Sequence, residues 1–94
     1  MIVTLIDLEE AEVRLKAGEP PYEFMTDHPQ LRLLGPACQY GATLLQSYRQ
    51  RGLYAESLAE AREMARAKNA TVTGVWFVKR EPVKVEIERA AEEQ

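Results

Sequence analysis

The stretch TVTGVWFV, residues 71–78, decides how this chain folds. β-branched and aromatic residues dominate it, which is the composition of a strand. Its four consecutive apolar residues, Val75, Trp76, Phe77 and Val78, project alternately to opposite faces of the sheet that holds them. A chain of 94 residues builds one small core, and its helices are expected to cover only one of those faces. Apolar surface is therefore expected on the other. Downstream, the connection at residues 79–82 is short, and in PVKVEIER the residues Val83, Val85 and Ile87 alternate with Lys84, Glu86 and Glu88. This pattern predicts an antiparallel hairpin with one wet face, followed by a polar tail, AAEEQ, at 90–94.

Upstream of the strand, the spacing predicts a helix that begins near 54–57 and runs to Lys68. Ser57 and Glu60 stand at capping-box spacing, Leu58, Ala61, Met64 and Ala65 form an inward stripe, and Asn69 suits a left-handed cap. A second helix is expected over 37–51, with Pro36 at its start and Gly52 at its end. Its inward face would be Ala37, Tyr40, Gly41, Leu44, Leu45 and Tyr48. At the other end of the chain MIVTLI, residues 1–6, reads as a strand covered on both faces. Asp7 and Glu10 then cap a helix over 8–17 that ends at Gly18 and buries Leu8, Ala11 and Leu15. EPPYEFMTDHPQLRLLGP, residues 19–36, holds four of the five prolines and no sustained period, and is expected to be an irregular loop with a short strand or 3₁₀ turn at Leu31, Leu33 and Leu34.

The predicted order is strand, helix, loop, helix, helix, strand, strand. That order implies a single α+β domain over 1–94, a small two-layer sandwich in which a three-stranded sheet ending in a C-terminal antiparallel hairpin is packed by helices on one face.

Composition narrows the function. With 46% hydrophobic and 29% charged residues the chain has the make-up of an ordinary globular domain. The single cysteine excludes an internal disulfide framework and a zinc site built on paired cysteines, and it fits a reducing, cytoplasmic setting. The opening MIVTLIDLEE lacks a basic start and meets Asp7 too early for an export signal or a membrane span. Charge is uneven: residues 1–47 carry three bases against seven acids (−4), residues 48–84 eight against four (+4), and residues 85–94 one against four (−3). Interleaved acids at Glu56, Glu60, Glu63 and Glu81 make helix-surface ion pairing a better account of Arg49, Arg51, Arg62, Arg66, Lys79 and Arg80 than a phosphate-binding track.

Few residues offer chemistry. Cys38 falls near the expected start of the second helix, where the helix dipole lowers a thiol pKa, yet free cysteine is more often a small buried hydrophobe. His28 is a candidate general base, and Asp27 beside it completes a conceivable Cys38, His28, Asp27 triad, but DHP equally suits a turn. No metal-ligand spacing is present, and the glycines form no phosphate-cradling loop, so no cofactor is expected. The leading expectation is a non-enzymatic protein-binding module, a regulator, inhibitor or assembly factor. It would act through Tyr22, Phe24, Met25, Val75, Trp76 and Phe77, with another protein or a second copy of the chain as partner. Two alternatives stand beside it: a thiol enzyme or redox protein using Cys38 with His28, and a weak nucleic-acid binder using Arg49, Arg62, Arg66 and Arg80.

Overall fold

A computed structural model describes residues 2–79 of the chain. In chain order it contains β1 (Ile2–Asp7), α1 (Leu8–Lys16), β2 (Pro21–Thr26), β3 (Leu33–Leu34), α2 (Ala42–Gln50), α3 (Leu58–Arg66) and β4 (Val72–Lys79). The strands form one antiparallel sheet in the order β1-β4-β2-β3. This is the small α+β arrangement expected, with four strands among the described residues in place of three. The strand read from TVTGVWFV lies in the interior of that sheet. It pairs with β1 along one edge, from Ile2 opposite Lys79 to Asp7 opposite Gly74, and with β2 along the other. The hairpin partner expected at 83–87 and the polar tail lie outside the described residues. Within them both edges of β4 are filled by segments distant in sequence.

The expected loop at 19–36 is in fact the source of β2, and of the two options at Leu31, Leu33 and Leu34 the short strand forms, as β3. Pro20 and Pro21 hold the chain extended, and Tyr22 and Phe24 bring side chains that favour a pleated surface. The period-two signal is hidden because the pairing with β4 is broken twice. Pro21 faces Phe77 and Glu23 faces Trp76, so Tyr22 is an extra residue on β2; Met25 faces Gly74 and Thr26 faces Val72, so Thr73 is an extra residue on β4. Each irregularity shifts the alternation by one. As a result Pro21 and Phe24, three apart, both face inward, and so do Val72 and Val75. A bulge is also where a strand tolerates proline.

The second helix is shorter than its spacing suggested. It begins at Ala42 with Gly41 as its N-cap, none of its residues is fully buried, Leu44 is 43% exposed, and Tyr48 alone of its expected face packs at the margin of the core. The cause lies in Gly35 and Ala37, whose amides are spent on β2. Gly35 N donates to the Tyr22 carbonyl (3.0 Å) and Ala37 N to that of Pro21 (2.9 Å). Only glycine fits here, since a Cβ at position 35 would stand 2.5 Å from the Pro21 carbonyl oxygen.

The other two helices match their signals. Asp7 Oδ1 accepts from Glu10 N (3.1 Å) at the start of α1, and Ser57 Oγ accepts from Glu60 N (3.2 Å) at the start of α3. Helix α3 stops at Arg66, and Asn69 takes the left-handed conformation expected of it (φ 58°). Both helices lie on the Val75 and Phe77 side of the sheet. Their small residues Ala11, Ala61 and Ala65 let the helix backbones approach Phe24, Val72, Val75 and Phe77, while Leu33, Leu53 and Ala55 close the core at the β3 end. The Arg14 guanidinium lies 5.6 Å from the centre of the Phe77 ring and roofs it.

Phe24→Ala and Phe77→Ala should each lower unfolding free energy by about 3–5 kcal/mol, whereas Met25→Ala, on the other face, should cost less than about 1 kcal/mol. Gly35→Ala should cost about 1–3 kcal/mol through the clash with Pro21. Urea unfolding followed by circular dichroism measures all four.

Candidate functional site

The side of the sheet turned away from α1 and α3 carries an apolar strip. Cross-strand neighbours share a face, so the pairings of Val3 with Val78, Leu5 with Trp76, Glu23 with Trp76 and Met25 with Gly74 place all these residues together. Leu5 is 41% exposed and Met25 42%, while Val3, Trp76 and Val78 are half-buried. Gly74 keeps the strip low: a Cβ there would come within 3.0 Å of Leu5 Cδ1, so the leucine lies across β4 at this point. Partial exposure of five neighbouring apolar side chains on one sheet face marks a surface that the described helices leave uncovered.

A polar and aromatic border adjoins the strip at Glu23. Arg32 grips the Glu23 carboxylate with two hydrogen bonds, Nε to Oε2 and Nη2 to Oε1, both 2.9 Å. The same Nη2 donates to the Tyr40 hydroxyl (2.6 Å), and the guanidinium stands 5.6 Å from the Tyr40 ring centre. Tyr22, the bulged residue of β2, meets Tyr40 with ring centres 6.3 Å apart and planes tilted by 51°. Hydrogen bonding to Glu23 holds the Arg32 guanidinium still more firmly protonated than usual. The Tyr40 hydroxyl, with burial second, pushes the Tyr22 phenol up. Arg32 therefore stays cationic and Tyr22 neutral through the physiological range, and the cluster positions two tyrosines and an arginine beside Trp76.

The residues expected to meet a partner separate by face. Phe24, Val75 and Phe77 are fully buried against the helices and present no surface to another molecule. Tyr22, Met25 and Trp76 lie on or beside the uncovered strip. Val3 and Leu5 were not singled out by sequence, because MIVTLI reads as a doubly covered strand. Its pairing with β4, rather than its composition, reveals that the described helices leave one side open.

Cys38 and His28 occupy separate places. Cys38 lies in the turn before α2, its amide bonded to the Gly35 carbonyl (3.1 Å), and it is buried rather than presented at a helix N-terminus. Burial pushes its thiol up, the opposite of activation, with its own backbone and that of Tyr40 opposing the rise. It lines a cavity of about 340 Å³ with Pro20, Pro36 and Val78. His28 lines a different one, of about 480 Å³. Its Nδ1 accepts from Gln30 N (3.1 Å), and Asp27 Oδ1 accepts from Thr71 N (2.9 Å), so these two atoms are spent on holding the turn.

Of the arginines considered for nucleic acid, Arg62 pairs with Glu12 (3.1 Å), Arg66 with Glu63 (3.4 Å), and Arg49 stacks 4.2 Å above the centre of the Tyr54 ring. Arg80 lies outside the described residues. Among the described residues no three His, Cys, Asp or Glu side chains are grouped to hold a metal ion, and no helix is long and apolar enough to cross a membrane.

No protein-family model, no curated protein and no solved structure matches this chain.

Cys38 should react with a thiol reagent such as DTNB more slowly at neutral pH than a free cysteine, and its rate should rise only at a pH above the ordinary cysteine range. Stopped-flow labelling across pH gives the profile. A burst of labelling with an acid-shifted midpoint would instead identify an activated thiolate.

Proposed function

We propose that this chain is a small protein-binding module that uses the uncovered face of its sheet. The observation that carries the reading is the strip of Val3, Leu5, Met25, Trp76 and Val78, placed opposite the helices and bordered by the Glu23, Arg32 and Tyr40 cluster. Trp, Tyr, Met and Arg are the side chains over-represented where proteins meet, and here they are juxtaposed with an apolar centre and a polar edge. A sheet face is also shallow, which suits another folded surface better than a small molecule.

Magnitude sets the scale of the partner contact. A stable protein interface buries about 800 Å² on each side. Five partly exposed side chains supply the centre of such a patch and not the whole of it. The contact therefore extends to the Tyr22, Arg32 and Tyr40 border, or along β1, whose outer edge carries no strand among the described residues.

Binding of this kind has a direct test. A photo-crosslinking amino acid at position 5 should capture a discrete partner in the cells that make the protein, whereas the same group at exposed Glu9 on α1 should not. Leu5→Arg should remove the association while leaving the melting temperature within a few degrees, because the residue is already half in water. Light scattering on the captured species and on the purified chain distinguishes a second copy from a different protein. Equal capture from both positions, or none from position 5, would contradict the reading.

A further inference from the structure

At the end of the sheet where β4 begins, three separate elements bring cationic and donor side chains around one cleft. The 27–31 turn supplies His28 and Gln30, the end of α2 supplies Arg51, and the segment after α3 supplies Lys68, around a cleft of about 480 Å³ floored by Leu31 and Leu53. Among the described residues no carboxylate lines it. The nearest acid in sequence, Asp27, has its Oδ1 on Thr71 N, and its own amide donates to the Thr71 carbonyl (3.0 Å). Among the described residues neither Arg51 nor Lys68 forms an ion pair, unlike Arg14, Arg32, Arg62 and Arg66.

Helix ends account for part of this charge. Arg51 follows α2 and Lys68 follows α3, where each helix presents roughly half a negative unit. Two full cations against two such ends leave a surplus of about one positive unit. Two of the donor side chains are also held by neighbours. His28 Nδ1 accepts from Gln30 N, so the neutral ring carries its proton on Nε2, leaving a donor there. Arg51 is steadied on the Tyr48 ring, 5.6 Å from its centre. Gly52 (φ 71°) and Asn69 (φ 58°) turn the chain out of each helix immediately after the two cations.

We propose that this cleft binds a small organic anion, a phosphate monoester or carboxylate. Its charged head sits among His28, Arg51 and Lys68, and its apolar body rests on Leu31 and Leu53. Three donors converging on a concave floor suit a single anionic group, whereas a nucleic-acid backbone needs a longer track of cations. The site stands apart from the apolar strip and does not rest on the function proposed for it.

Titration of the ¹⁵N-labelled full chain with phenyl phosphate, inorganic phosphate and phenol, at constant ionic strength, tests the assignment. Phenyl phosphate should give saturable shifts confined to the amides around Gln30, Leu31, Arg51, Leu53 and Lys68. Inorganic phosphate should bind the same place about fivefold more weakly for want of the apolar contact, and phenol should not shift these amides. The double variant Arg51→Gln, Lys68→Gln should lose more than about tenfold in affinity, with the rest of its spectrum unchanged. Arg62→Gln, on the far surface of α3, should bind as the parent does. Shifts that never saturate, that spread over the surface, that are equal for the two phosphates, or that survive in the double variant would overturn the proposal.

Discussion

Everything in this molecule is arranged around one strand that must satisfy two neighbours at once. β4 holds its ladder with β1 on one side and β2 on the other, so the beginning, middle and end of the described chain meet along its two edges. Its inward residues Val75 and Phe77, with Val72 brought round by the bulge at Thr73, form the floor on which Ala11, Ala61 and Ala65 settle. Its outward residues Trp76 and Val78 are equally apolar, and the helices that cover the first set cannot reach the second. The uncovered strip is thus a direct consequence of placing VWFV in the middle of a sheet with helices on one side.

The two bulges are what make this compatible with the rest of the chain. Without the extra residue at Tyr22, Pro21 and Phe24 would point to opposite faces, and the core would lose one of its six largest fully buried side chains or expose a proline. Tyr22 itself is turned to the border, where it meets Tyr40 and, through it, Arg32 and Glu23. One irregularity therefore serves both faces: it keeps Phe24 dry and helps build the polar edge beside Trp76.

The parts of this arrangement that were legible in the sequence are those set by local chemistry. The caps at Asp7 and Ser57, the inward stripes of α1 and α3, the left-handed Asn69 and the strand character of TVTGVWFV all depend on residues within a few positions of one another. What was not legible depends on distant pairing. β2 reads as loop because bulges break its alternation. Helix α2 reads as starting five residues earlier because Tyr40 and Ala37 have helical spacing, although the amides of Gly35 and Ala37 are committed to β2. Half of the candidate surface was visible for a similar reason. Trp76 and Met25 stood out by residue type, whereas Leu5 and Val3 gained meaning only once β1 was seen at the edge of the sheet.

The central claim is that the described helices leave the Trp76 side of the sheet only partly covered. Trp76 is the single tryptophan, so its fluorescence reports on that face alone. Acrylamide quenching of the purified protein, diluted until light scattering shows a monomer, gives the most direct measurement. The account predicts quenching intermediate between that of a core tryptophan and that of a free one, with emission shifted toward the red of a fully buried indole. A blue, unquenched Trp76 in the dilute monomer would show that the face is already dry and would contradict it.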